Sequence, residues 1–378
     1  MGDVKTSEPV ARRVAYVDVA GQHREIEAEL LRAIARVIDH GGFILGDEVR
    51  QFEEKFAALC GVRHAIAVNS GTDALILALR ALGIGPGDQV ITAPNSFIAT
   101  ASSIAVVGAR PVFADVGEDY NLDPQAFERA ITPRTRAVLP VHLTGRPADM
   151  TAVLDIAHAH GLFVVEDCAQ AVLAEHRGRR VGSFGNIGCF SLHPLKTLSA
   201  CGDGGVLTTN DPEIRDQLRV TRNLGLRARD DCVMWSSHSR LDTMQAAVLL
   251  VKLNHLERWT EARRSHARRY QAALADVSHV QTPTDRSYER SAYHTFVVQA
   301  SRRDALKAYL RGRGVETAVH YPVPIHLQAA ASSLGYGPGN FPVTERQAGR
   351  ILSLPVYPEL SGDDIDYVAG AVRTFYEA

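Results

Sequence analysis

The chain has 378 residues, 46% of them hydrophobic and 22% charged, with a formal net charge of -2 at pH 7. That length suits two domains, and the near-neutral balance lacks the basic surplus of a nucleic-acid binder. The five cysteines have neither a CxxC pair nor a disulfide-like spacing, and no apolar run could span a bilayer or core a signal peptide, so we expect reduced thiols, a cytoplasmic setting and no membrane contact.

Residues 1–14 mix charges with Ser and Pro and read as a flexible N-terminal segment. Short apolar runs then recur with helical patterns between them: Ala65 to Val68, Gln89 to Ala93, Arg110 to Ala114, Ala137 to His142, Leu162 to Glu166, Gly188 to Leu192 and Gly205 to Thr209. That alternation predicts an α/β domain over residues 15–255, built on a mostly parallel seven-stranded sheet. Several runs end in polar residues (Asn69 and Ser70, Asn95 and Ser96, Asp167, His193), at the strand ends where such sheets place ligands.

From Asp242 to Tyr270 the pattern predicts one long helix bridging the domains, with Ala246, Leu249, Leu250, Leu253 and Leu256 on a shared face. Residues 256–378 then read as a smaller C-terminal α+β domain. It holds a helix from Arg303 to Arg313 stopped by Gly314, a strand from Val315 to Tyr321, a Pro-rich stretch and a last helix from Asp363 to Tyr376.

Four places carry candidate chemistry. Lys196 follows an apolar strand and precedes Gly202-Asp203-Gly204-Gly205. An amine held there could be desolvated and condense with an aldehyde, although a lone lysine after a strand is usually a solvated surface group. Asp167 closes a strand; it could pair with a protonated pyridine nitrogen or, equally, cap the next helix. Asn69-Ser70-Gly71-Thr72-Asp73-Ala74-Leu75 could cradle a phosphate at a helix start, and an ordinary N-cap explains it about as well. Phe97 could stack on a flat ring, although an isolated aromatic is more often core. His320, Tyr321 and His326 form a further polar cluster, read as substrate contacts; no Cys or carboxylate lies at ligand spacing, so no metal is expected.

Ser70-Gly71-Thr72-Asp73-Ala74-Leu75, the Pro94 to Phe97 turn, Glu166-Asp167-Cys168-Ala169-Gln170-Ala171, the Ser191 to Lys196 run, Gly202 to Gly205 and Ser239-Arg240-Leu241-Asp242 with Gln245-Ala246-Ala247 together resemble the DegT/DnrJ/EryC1/StrS sugar aminotransferases. Gly42-Phe43-Ile44-Leu45-Gly46 and His320-Tyr321-Pro322 extend the likeness from about Tyr16 to the C-terminus.

The resemblance implies a fold-type I aminotransferase, a homodimer with each active site at the subunit interface, using pyridoxal 5'-phosphate as a Schiff base on Lys196. It implies that Asp167 faces the pyridine nitrogen, Gln170 approaches the ring hydroxyl and Phe97 covers a ring face, while Gly71, Thr72 and Ser191 hold the phosphate. His193 resembles a histidine near the substrate in relatives, where it could shuttle a proton or orient a hydroxyl, or only hydrogen-bond the loop. One position departs from the family: relatives commonly carry Asn two residues before the Arg of the Ser-Arg-Leu-Asp motif, reaching the neighbouring subunit's phosphate, and this chain has His238. Imidazole can also donate to phosphate, so His238 is kept as a cofactor contact.

The resemblance implies a reaction that moves an amino group from glutamate or glutamine to a keto-sugar in amino-sugar or antibiotic biosynthesis; the Ser-Arg-Leu-Asp motif and the Lys252-Leu253 pair look more like relatives acting on 3-keto sugars, and a nucleotide-linked sugar is the default carrier. A non-nucleotide keto-sugar, a cyclitol or an aminoglycoside intermediate is the alternative, and a non-catalytic cofactor- or sugar-binding regulator a distant one. A sugar dehydratase on the same fold would replace the lysine with histidine. An early G-x-G-x-x-G and a G-x-S-x-G, needed by an oxidoreductase and an α/β-hydrolase, are both absent.

Overall fold

The computed structural model describes residues 12–377. All seven apolar runs form strands of one sheet, in the order His64–Val68, Gly205–Thr209, Ile187–Ser191, Phe163–Asp167, Thr135–Leu139, Gln89–Thr92, Arg110–Phe113. Only Gly205–Thr209 runs opposite in direction to the other six strands. The alternation of side chains sorts the strands' apolar residues to two faces. Ala65, Ala67, Phe190, Leu192 and Val206 pack with Phe52 and Phe56 of helix Asp47–Cys60. Ile66, Val68, Ile187, Cys189 and Leu207 pack with Leu75 and Ala78 of helix Gly71–Ala81. A sheet covered on both faces needs apolar residues at nearly every strand position, which is why these runs were visible in the sequence.

The parallel strands all finish at the same edge of the sheet, so the segments after Val68, Thr92, Asp167 and Ser191 gather there. The antiparallel strand starts there, with Gly205 opposite both Val68 and Ser191. A Cβ on Gly205 would fall 2.3 Å from the Ser70 carbonyl oxygen, so only glycine allows this close approach.

The single helix expected from Asp242 to Tyr270 is two helices, Thr243–Leu253 and Leu256–Leu274. The amides of Asn254 and His255 bond to the carbonyls of Val251 and Lys252, three residues back, and so tighten the chain instead of extending the α-helical ladder. The second helix places Ala267, Tyr270 and Leu274 in an apolar cluster with strands Phe296–Ala300 and Ile351–Leu354 and helices Arg303–Gly312 and Gly362–Glu377. With Val280–Gln281 those strands form a three-stranded antiparallel sheet, the smaller α+β unit.

Two further expectations differ in detail. No continuous strand runs from Val315 to Tyr321: Val315 pairs with Val14 and Ala318 with Ser353, so the two positions find partners in different segments. Of the expected flexible segment, residues 1–11 lie outside the described residues, while Val14 is buried in the smaller unit's core.

Candidate active site

A cavity of about 350 Å³ opens at the shared strand edge, between the large sheet and the smaller unit. Lys196 lies on its wall, in the turn after strand Ile187–Ser191, where its amide bonds the His193 carbonyl at 2.8 Å. Burial lowers its ammonium to about 8, against the opposing pull of Asp167, so the free amine is far more populated near neutral pH than in an exposed lysine, although still the minor form.

Asp167 lines the same cavity and is buried. No helix starts at it, which removes the reading as a helix cap. Instead Oδ1 accepts from the Ala169 amide at 3.1 Å and Oδ2 from the Thr100 hydroxyl at 2.8 Å. Burial raises its carboxyl, and these two donors, Lys196 and His142 oppose that rise. A cation arriving in the cavity would complete its neutralisation.

The other walls come from separate elements. Gln170 Oε1 accepts from the Thr144 amide at 2.6 Å and Nε2 donates to the Tyr321 hydroxyl at 3.3 Å, which fixes the amide's orientation. Phe97 is 53% exposed and tilts against Tyr321 at 5.7 Å between ring centroids, so its outer face is free to cover a planar ligand. His320 bonds Ser353 at 2.9 Å, and burial beside Lys196 lowers it to about 4, keeping it neutral. His193 is exposed at the cavity, where Nδ1 accepts from the Leu195 amide at 3.3 Å; its other ring nitrogen is left for a ligand.

Ser70, Gly71, Thr72 and Ser191 line a third wall. Ser70 caps helix Gly71–Ala81 by accepting from the Asp73 amide, and the Gly71 and Thr72 amides have no acceptor among the described residues. A Cβ on Gly71 would sit 2.6 Å from the Ser191 Cβ, so glycine is what lets the helix start and the strand end meet. Free amides, hydroxyls and the helix dipole make this wall an anion cradle.

One expected contact, His326, is not brought here, and His238, expected from a neighbouring subunit, lies elsewhere on its own chain. His326 is buried in a short helical turn outside the cavity, bonded to Glu345 at 3.1 Å and edge-on to Phe341, so its ring is taken up by packing away from the site. His238 is exposed, paired through its backbone with Asn223, and does not line its own chain's cavity. His142, Glu166 and Cys168 do come close together in the core, with ligand-capable atoms within 4.8 Å. There the Glu166 carboxylate already accepts from the Gly182, Phe184 and Gly185 amides and from His142, which fills it as a structural hub.

The sequence reading missed Tyr16, Thr100, Arg263 and His294, all of which line the cavity. Tyr16 stacks on His320 at 5.9 Å and burial raises its hydroxyl to about 12. No motif marks these residues, since each reaches the site from an element distant in sequence.

The fit of this donor set to pyridoxal 5'-phosphate is direct: an amine for its aldehyde, a carboxylate for its ring nitrogen, and unpaired amides for its phosphate. Such a site on this sheet defines a pyridoxal-phosphate-dependent aminotransferase of fold type I. The chain matches the model of the DegT/DnrJ/EryC1/StrS aminotransferase family over residues 24–373 and belongs to that family of sugar aminotransferases. It is 45% identical to the dTDP-3-amino-3,4,6-trideoxy-alpha-D-glucose transaminase of Streptomyces venezuelae, over 97% of each chain. It is 44% identical to the erythromycin biosynthesis sensory transduction protein EryC1 of Saccharopolyspora erythraea, over 95% of this chain and 99% of that protein. The crystal structure of S. venezuelae DesV in complex with a ketimine intermediate superposes with a TM-score of 0.95, covering 97% of this chain and 99% of that one at 45% identity.

Proposed function

We propose that the protein transfers an amino group from glutamate or glutamine to the 3-carbonyl of a nucleotide-linked keto-sugar, in amino-sugar or antibiotic biosynthesis. The observation that carries this reading is the facing of Lys196 and Asp167 into one cavity beside the free amides of Gly71 and Thr72. Position 3 is supported by the S. venezuelae relative, whose name specifies a 3-amino sugar.

When bound, pyridoxal 5'-phosphate supplies the electron sink that lets the amino acid's Cα–H bond break and the sugar's new C–H bond form. Gly71, Thr72 and Ser191 hold the phosphate, with His238 of a second copy as a further donor. Asp167 keeps a carboxylate against the ring nitrogen, Thr100 holds that carboxylate in place, Gln170 reaches the ring hydroxyl and Phe97 covers a ring face. The Lys196 amine takes the proton from the donor carbon and delivers it for the reverse passage on the sugar, the general acid–base role that an amine near neutral pKa performs best. His193, His320 and Tyr321 contact the sugar. The balance is donor amine plus ketone giving 2-oxo acid plus amino sugar; water taken up in the first half is released in the second.

The working unit proposed is a homodimer. Phe43, Ile44 and Leu45 are exposed apolar side chains that a second copy would cover. A cytoplasmic setting is supported by five unpaired cysteines, and no helix among the described residues is long and apolar enough to cross a membrane. The test is an assay with glutamate and a panel of nucleotide-linked keto-sugars. Formation of 2-oxoglutarate in step with a 3-amino sugar supports the reading, and no product from any 3-keto acceptor overturns it.

A further inference from the structure

Lys252 is a buried amine that the proposed reaction does not use. It lies near the end of helix Thr243–Leu253 and is fully buried, yet no carboxylate among the described residues pairs with it. Its three ammonium hydrogens meet three acceptors instead: His23 Nε2 at 2.7 Å, the Ser199 carbonyl at 2.8 Å and the Ser199 hydroxyl at 3.2 Å. Burial, with the charge of Lys252, lowers His23, so its ring is neutral and offers a nitrogen lone pair. A methionine would fill the same space without the cost of desolvating an ammonium, so the use of a lysine lies in what its bonds join.

They join two helices to the turn that carries Lys196. Ser199 stands three residues beyond Lys196, in a turn closed by the Ala200 amide on the Leu192 carbonyl at 2.7 Å and the Leu192 amide on the Gly204 carbonyl at 2.8 Å. Gln245, seven residues before Lys252 and so on the same face of its helix, accepts from the Cys201 amide at 2.8 Å. His23 belongs to helix Val19–His40, which packs on Thr243–Leu253 through Ile26, Leu30, Ala247, Val248 and Val251. Such tethers matter because Lys196 lines the main cavity and a small side cavity alike, so surrounding side chains do not by themselves fix it. We propose that Lys252 is a positioning residue: its ammonium holds the Ser199 end of the turn against both helices, and so keeps the Lys196 amine at the reacting carbon in both halves of the reaction.

This rests on Lys196 as the lysine that holds the cofactor, which adduct mapping of the wild-type enzyme checks separately. Lys252→Met keeps the length of the side chain and removes the ammonium. In the holoenzyme, single turnovers followed by the cofactor's absorbance report the glutamate half and the sugar half in turn. We expect the maximal rates of both to fall alike by about 10- to 100-fold, the loss that a slight misplacement of the reacting group brings. The apparent dissociation constant for glutamate should stay within about twofold, because neither Lys252, Ser199 nor His23 lines the cavity. Hydrogen exchange should quicken at the Lys196, Ala200 and Cys201 amides and stay slow in the sheet strands, a readout independent of activity. A lower melting temperature with wild-type maximal rates and wild-type exchange in the turn would make Lys252 a packing residue and overturn the proposal. A loss confined to glutamate affinity would overturn it too. If Lys252→Met does not fold, Ser199→Ala and His23→Ala each remove one acceptor. Each should lower the same two rates by a smaller factor, and wild-type rates in both would overturn the proposal. An adduct on a lysine other than Lys196 in the wild-type enzyme would instead remove the reading of the site on which the proposal stands.

Discussion

Thr100 donates its hydroxyl to Asp167 Oδ2 at 2.8 Å, the one side-chain hydrogen bond that this buried carboxylate receives among the described residues. Helix Ile98–Val106 thereby sets the carboxylate's charge and direction from behind. Thr100→Val keeps the shape and removes the donor, so the carboxyl should rise further and meet a cationic ring nitrogen less often. A hydrogen bond to a charged group is worth about 1.5–3 kcal/mol, so turnover should fall about tenfold or more and cofactor affinity with it. Melting temperature should fall modestly, and Thr100→Ser should restore turnover, cofactor affinity and stability.

Lys196 gives the reaction with cofactor a definite pH dependence. Its amine is free above about 8 and protonated below. Only the free amine attacks an aldehyde, so the rate at which cofactor-free protein captures pyridoxal 5'-phosphate should rise with pH through about 8 and level off above it. The linkage has the same sign. A lysine whose folded value is depressed binds fewer protons than in the unfolded chain, so its burden on folding is largest below about 8 and lightens toward the unfolded value near 10.5. A capture rate flat from pH 6 to 10 would contradict this assignment.

How much of this was legible in the sequence follows from what each feature depends on. The seven strands were readable because a sheet covered on both faces demands continuous apolar runs. Lys196, Asp167, Phe97 and the Gly71 cradle could be singled out because each lies at or shortly after a strand end, whereas Gln170 came only from the family resemblance. Thr100 and Arg263 were not, because each acts across the fold: one from the first turn of a helix, the other from a helix whose polar face looks in sequence like solvated surface. His326 misled for the converse reason. A histidine close in sequence to His320 and Tyr321 reads as part of their polar cluster, and only packing shows that its ring is closed against Phe341.

Glu166 tests the core beneath the site. Its carboxylate collects three backbone amides and His142, whose Nδ1 accepts from the Ala148 amide and so leaves Nε2 as the donor. Glu166→Gln would turn an amide NH₂ toward those donors. The expected cost is about 3–5 kcal/mol, the range for breaking a buried charge network, seen as a large fall in melting temperature. A chelator should leave the wild-type melting temperature unchanged; destabilisation by chelator would make the cluster a metal site instead.

His238 separates a contact between subunits from a surface residue. If it reaches the phosphate of a second copy's cofactor, His238→Ala should weaken cofactor binding several-fold and His238→Asn should preserve it, since either side chain offers an N–H donor. Titration of cofactor-free protein measures both, and equal affinities for wild type and the alanine variant would leave His238 without that role.

The most direct measurement is borohydride reduction of the purified, cofactor-loaded protein followed by peptide mass mapping. The expected result is a single phosphopyridoxyl adduct on Lys196, abolished in Lys196→Ala. An adduct on another lysine, or a protein that takes up no cofactor at all, would contradict the central claim that this amine and Asp167 grip one ring between them.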